Sequence, residues 1–387
     1  MKKTKRILLS LLLLASLTLQ CYIILVDATS VDEKEFVIKS SVRFTTPNQA
    51  WNLSEEEKAI SLYMNSSWQT VNLLNSSHSF EDVKTDEDGN TIAILNLSNI
   101  DVEQSIEYTV FYQAVSKPRN LPNIDENITL NLTDIPSNLT KTYCRNSGTW
   151  MTNNTNLKNL AETLAGSETN VLVIIENFVD WIWGNIDYTS HEVPFYPNET
   201  YSLTKGDCDD QAILLISLCR IIGIPAYLQI GCIYMPDVNT PPTFAWNGTI
   251  ENIQVRIGWH GWAMVYIPPW GWLPVDLTYI FSSKNDPINA IRTAVVTSQD
   301  VIQYMKIVDS DYVSEAQQYR DYLITNNFYI QVYDEIIPRN GEDPYIFLLE
   351  LLMKNALVIL LFAGIIATSV VGLFYIRRMK RKALETL

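Results

Sequence analysis

Apolar and polar residues alternate along residues 36–44, 92–97 and 106–112. A repeat of two puts every second side chain on one face, so each run predicts a half-buried β-strand. Asp88-Gly89-Asn90 supplies a turn just before the second run. These signals predict a small β-sandwich-like domain over residues 29–117. Residues 118–155, rich in Asn, Pro and Thr, read as a connector. The period then changes. Residues 157–186 repeat at helical spacing, with a break at Gly166-Ser167. Residues 212–222 are apolar on almost every side and predict a buried helix, opened by Gly206 and an Asp207 cap and closed by Gly223-Ile224-Pro225. Residues 260–267 alternate again, Pro268-Pro269-Trp270-Gly271 reads as a turn, and residues 272–276 return as the second strand of a hairpin. Residues 232–258, with Thr240-Pro241-Pro242, read as a long external loop. Ser298-Gln299-Asp300 predicts the start of a helix running to about Val308, and residues 328–333 a strand. The second unit is drawn over residues 156–343.

Both ends carry long apolar runs. Lys2, Lys3, Lys5 and Arg6 precede one that reaches about Val26, so residues 1–28 read as a signal peptide or an N-terminal signal anchor. The other run starts at Ala356, ends at Ile376 and holds no charge. At ~1.5 Å per residue it is long enough for a ~30 Å hydrocarbon core. Residues 344–376 are therefore expected to form a juxtamembrane and transmembrane helix in contact with membrane lipid. Arg377, Arg378, Lys380, Arg381 and Lys382 follow at once, which predicts a cytoplasmic tail at 377–387 and an extracytoplasmic position for everything before the span. The expected location is the cell membrane, single-pass, or two-pass if the first segment is retained.

Charge narrows the partners. Residues 29–353 hold 41 of the 43 acidic residues but only 18 of the 28 basic ones. Such a surface disfavours nucleic acid. Ten Asn-x-Ser/Thr sequons, from Asn52 to Asn247, fit glycosylation of an exported chain. Four cysteines lie beyond the first segment, with no zinc-like spacing and only three histidines in the chain. His78 and His191 sit in polar loop sequence and read as solvated. No calcium-ligand pattern is present, and no metal or cofactor is expected.

The chemistry concentrates in three short stretches. Lys205-Gly206-Asp207-Cys208-Asp209-Asp210-Gln211-Ala212 supplies a thiol at a helix start. The unpaired N–H groups and dipole there favour a thiolate and can hold an oxyanion, while the three aspartates oppose a thiolate. His260-Gly261-Trp262 supplies the imidazole, and Pro274-Val275-Asp276 the carboxylate that can orient it. Any one of the three alone would read as a buried thiol, a satisfied histidine or a turn aspartate. Five of the ten tryptophans fall between 246 and 272, Trp259 and Trp262 among them. Sheet packing explains them, and so does an aromatic substrate groove.

The combination resembles the transglutaminase-like superfamily. Gly206-x-Cys208-x-x-x-Ala212 with Cys219-Arg220-Ile221-Ile222-Gly223-Ile224-Pro225-Ala226 is similar to its nucleophile helix. His260-Gly261-Trp262-x-x-Val265-Tyr266-x-Pro268 and Gly271-Trp272-x-Pro274-Val275-Asp276-x-Thr278 resemble its histidine and aspartate strands. The likeness covers about residues 170–280. It implies an α+β, papain-like core in which the nucleophile helix packs on an antiparallel sheet, here expected beside the N-terminal β-sandwich-like domain and the C-terminal transmembrane helix. It also implies Cys208 as nucleophile, His260 as general base and acid, Asp276 as orienting partner, and Tyr188 as an aromatic lining the site. The chain departs from the family where many members have Ala at Gly261 and an acidic residue at Met264. The expected activity is acyl transfer or hydrolysis at peptide or carboxamide bonds through a thioester, on a protein or peptide substrate. The alternative is a catalytically inactive surface binding or adhesion module.

Overall fold

The computed structural model describes residues 33–279 and 286–339. Six strands come from the first part of the chain: β1 (Lys34–Thr46), β2 (Ala59–Ser61), β3 (Gln69–Ser76), β4 (Phe80–Thr85), β5 (Thr91–Leu95) and β6 (Gln104–Ser116). The alternation noted in the sequence sets their faces. Phe36, Ile38 and Phe44 on β1 and Tyr108, Val110 and Tyr112 on β6 turn inward, and the pair runs antiparallel from Lys34 opposite Ser116 to Thr46 opposite Gln104. The segment expected to be a β-sandwich-like domain divides its strands between two sheets. β2, β5 and β4 form a three-stranded sheet, while β1, β6 and β3 extend a nine-stranded one.

The rest of that large sheet comes from the second half of the chain. The two-residue strands β7 (Asp187–Tyr188) and β8 (Lys205–Gly206) pair with each other. Beyond them lie β9 (Ala226–Asn239), β10 (Thr243–Ala245), β11 (Ile250–Ile267), β12 (Gly271–Val275), β13 (Val301–Ile307) and β14 (Tyr329–Pro338). The order is β13-β9-β11-β14-β1-β6-β3, with β10 and β12 also on β11. Two expectations are corrected here. The supposed loop at 232–258 is mostly strand, because β9 and β11 pair antiparallel from Val265 opposite Ala226 to Val255 opposite Asn239. The stretch after Asp300 is strand β13, not helix, because its backbone pairs with β9 from Val301 opposite Ile233 to Ile307 opposite Leu228.

Helices pack on this sheet. α1 (Thr155–Ala165) starts where the Asn154 side chain accepts from the Asn156 and Leu157 N–H groups, and α2 (Val171–Asn185) where Asn170 accepts from Val173. α3 (Pro197–Leu203) is short. α4 (Cys208–Ile222) is buried on every side from Asp210 to Arg220, which explains a helix with no polar face. Arg220 is buried there with its donors satisfied: its Nε donates to the Ala226 carbonyl at 2.9 Å and Nη2 to that of Val308 at 3.1 Å. α5 (Asn289–Val296) and α6 (Tyr312–Asn326) follow later in the chain. One core joins α1, α2 and α4 to β9 and β11 through Leu157, Ile174, Phe178, Leu214, Leu228 and Val265. A second joins Phe36, Trp51, Leu95 and Tyr108 to Ile257, Phe328 and Ile330, with Trp51 stacked on Phe328 at 4.1 Å.

Among the described residues no helix is long and apolar enough to cross a membrane. For the described residues the expected fold class is corrected accordingly to a mixed α/β fold with no membrane-crossing helix among them, and they give the single-pass membrane location no support. The run from Ala356 to Ile376 that suggested both, and the segment 1–28, lie outside the described residues.

Candidate active site

Cys208 is the first residue of α4, and Asp207 stands at the cap position. The approach to the helix is tightly fitted. A Cβ on Gly206 would lie 2.6 Å from the Asp210 Cβ and 3.1 Å from a Thr200 methyl, so a side chain there would displace both. Asp210 fills that space because it accepts the Asp207 N–H at 3.0 Å and the Phe195 N–H at 2.7 Å. The Asp207 carboxylate accepts the His191 N–H at 3.2 Å. Cys208 itself is half-buried, which leaves it open to a substrate.

The hairpin brings the other two groups together. β11 and β12 pair with Ile267 opposite Gly271 and Ala263 opposite Val275, which returns Asp276 to His260. His260 Nε2 lies 2.6 Å from Asp276 Oδ2. The Asp276 Oδ1 accepts the Thr278 and Tyr279 N–H groups at 3.0 and 3.1 Å, which fixes the carboxylate. Both residues are buried. Burial works against charge on the imidazole, but the Asp276 charge and hydrogen bond outweigh it, and Cys208 adds to them, so His260 is raised to about 10. Burial likewise works to raise Asp276, and His260 with the two backbone donors holds it below the usual carboxylate range. Cys208 also favours the charged imidazole. With Nε2 turned to Asp276, Nδ1 is the nitrogen free of that bond.

The aspartates flanking Cys208 behave differently from their sequence appearance. Burial, then the hydrogen bond and charge of Asp207, push Asp209 up to about 8, against the Tyr312 hydroxyl that donates to it at 2.9 Å. Burial and the Asp209 charge push Asp210 up to about 6. Both shifts favour the neutral acids, so less negative charge faces a thiolate than three aspartates suggest. The ligand atoms of Asp207, Cys208 and Asp209 lie within 4.8 Å of one another, a donor set that could hold a metal ion. Gly261 is the other close approach: a Cβ there would lie 2.9 Å from the Asp209 Cβ and 3.3 Å from its Cα. Glycine thus lets the start of α4 press on the strand that carries His260.

The expected lining residues separate. Tyr188 is 58% exposed, and partial burial followed by the charges of Cys208 and the three aspartates raises its phenol. Trp262 is buried and stacks on His260 at 5.8 Å. Trp259 is aimed elsewhere, with its Nε1 donating to Asp334 Oδ2 at 2.8 Å. Sequence reasoning missed two neighbours. His191, expected in solvent, packs on Phe195 at 4.2 Å with Nε2 4.0 Å from Asp210 Oδ2. Tyr312 reaches Asp209 from α6, a pairing with no local signal in the chain. Among the described residues Cys144, Cys208, Cys219 and Cys232 are all free thiols.

Residues 158–277 match the transglutaminase-like superfamily, a span that contains Cys208, His260 and Asp276. No curated protein matches the chain. A candidate cysteine protease from Cytophaga hutchinsonii superposes with a TM-score of 0.50 at 15% identity, covering 81% of this chain and 93% of that one. At that identity the likeness is one of fold. The periplasmic domain of TgpA from Pseudomonas aeruginosa, bound to ethylmercury, matches at TM-score 0.30 and 14% identity over 69% of this chain and 94% of its own. A candidate protease from Parabacteroides distasonis matches at TM-score 0.24 and 11% identity over 72% and 68%. Residues 158–277 of this chain are thus a transglutaminase-like superfamily domain.

Proposed function

We propose that the protein is a thiol enzyme that transfers acyl groups from peptide or carboxamide carbonyls through a Cys208 thioester. The observation that carries this reading is the buried 2.6 Å His260–Asp276 bond beside a thiol at a helix start. The superfamily match over the same residues supports it. In the first step the Cys208 thiolate attacks the carbonyl carbon, and the oxyanion forms near the first-turn N–H groups of α4. The His260 imidazolium gives its proton to the departing amine nitrogen, and the carbonyl–nitrogen bond breaks to leave the thioester. Water then attacks with His260 as base, releasing a carboxylic acid and the free thiol. An amine in place of water gives a new amide. Hydrolysis is the preferred outcome in this reading, with proteins or peptides as substrates. Asp276 holds the imidazole in place and stabilises its charge.

Alkylation of the full-length chain by iodoacetamide from pH 5 to 9, read by peptide mass, tests the proposal. Burial pushes the Cys144 and Cys232 thiols up to about 12 and Cys219 higher still, so these give little background. Cys208 is expected to react selectively and fast already at pH ~6, and to lose that reactivity in His260→Ala. Labelling as slow as at Cys144, or unchanged in the variant, would favour a binding module without catalysis.

A further inference from the structure

A cavity of about 250 Å³ lies within the second core, walled by the rings of Tyr63, Tyr108, Tyr112, Trp259 and Tyr304 and by the acid Asp334. Asp334 is only 4% exposed. One carboxylate oxygen accepts from Trp259 at 2.8 Å, while Oδ1 has no hydrogen-bond partner. Among the described residues no Lys, Arg or His forms an ion pair with it. The Ser40 hydroxyl beside it and Asn252, also on the cavity wall, are neutral. An acid buried without a countercharge is costly, and a cation supplied from outside removes that cost.

The walls say which cation fits. The rings meet at steep angles: Tyr63 with Tyr112 at 4.8 Å and 61°, Tyr63 with Tyr304 at 4.7 Å and 57°, Trp259 with Tyr304 at 5.3 Å and 66°. Aromatic side chains attract a cation through their ring faces and tolerate its alkyl groups. A bare Ca²⁺ instead needs about six or more oxygen ligands, whereas Val42, Ile60, Val110 and Val332 add apolar carbon to the ring-lined walls. The volume far exceeds the ~10–15 Å³ that one water requires, yet lies below the ~300 Å³ typical of the smallest drug-sized sites.

We propose that this cavity binds a small organic ammonium ion, its charge against the Asp334 carboxylate and its alkyl groups against the tyrosine and tryptophan rings. The site does not depend on the chemistry assigned to Cys208. The test is calorimetric titration of the full-length chain with ethylammonium, tetramethylammonium and choline chlorides at ionic strength fixed with sodium chloride. The uncharged choline isostere 3,3-dimethylbutan-1-ol serves as the control. At least one of the ammonium ions is expected to bind saturably at one site, and choline at least about tenfold tighter than its isostere. Asp334→Asn is expected to weaken ammonium binding at least about tenfold and to leave the isostere unaffected. No binding by any of the three ions, equal binding of choline and its isostere, displacement by an equal concentration of potassium, or an unchanged affinity in Asp334→Asn would each overturn the proposal. The comparison of choline with its isostere needs no variant and decides the matter even if Asp334→Asn does not fold.

Discussion

Replacing Asp276 with Asn keeps the shape of the His260 partner and removes its charge. In the wild type the imidazole is raised to about 10 by that charge and hydrogen bond, in spite of burial. Without the charge only burial and the thiol remain as strong influences, and burial alone pushes a histidine below its ordinary ~6.5. The Cys208 thiolate then loses its imidazolium partner, and a thiolate without one is less favoured. A thiol with a value of ~8.5 is ionised only about one part in 300 at pH 6. The alkylation rate of Cys208 at pH 6 should therefore fall on the order of 10²-fold, worth about 3 kcal/mol at ~1.4 kcal/mol per decade. Breaking a buried charge pair costs roughly 3–5 kcal/mol, so the pair is large enough to supply the effect. The assay is the second-order iodoacetamide rate from pH 5 to 10, with the melting transition as a check on folding. The wild type should show a broad plateau, and Asp276→Asn a rate that climbs with pH and meets the wild type only near pH 9. Superimposable profiles would refute the reasoning. Linkage adds a stability signature with its own sign. His260 is raised above its unfolded value, so the stability it contributes is complete below pH ~6.5 and lost as pH climbs through about 10.

Two further changes probe the start of α4. Asp209 is an acid raised to about 8, so the folded state binds its proton more tightly than the unfolded chain, and its presence destabilises the fold increasingly between pH ~4 and 8. Asp209→Asn should raise the melting temperature at pH 8 by several degrees, at ~2–4 °C per kcal/mol, and change it little at pH 4; an equal shift at both pH values would contradict this. Gly261→Ala forces a methyl into contact with Asp209, 2.9 Å from its Cβ. The clash should cost about 1–3 kcal/mol in thermal unfolding and slow Cys208 alkylation by displacing the helix start from His260, and full reactivity with unchanged stability would show that the approach has slack.

Much of the secondary structure was legible because it is written in local periods. The two-residue repeat marked β1, β5 and β6, and the helical repeat with its break at Gly166 marked α1 and α2. The helix opening at Cys208 and the hairpin carrying His260 toward Asp276 were also readable, since caps, glycines and turn residues act within a few positions. What failed depended on distant partners. Residues 301–307 look like a capped helix until β9 offers its edge. Residues 232–258 look like a loop until the two long strands find each other.

The sequence by itself therefore determined which segments alternate, which coil, and which three residue types could perform thiol chemistry. Only the tertiary structure decided that β1, β6 and β3 continue the sheet that bears His260. It also decided that burial raises Asp209 in spite of the Tyr312 hydroxyl that donates to it, and that Trp259 turns from Cys208 to Asp334. The reason is physical. Periodicity and capping are properties of neighbours along the chain, whereas sheet order, burial and proton affinity come from groups that meet only when residues far apart in the sequence are packed together.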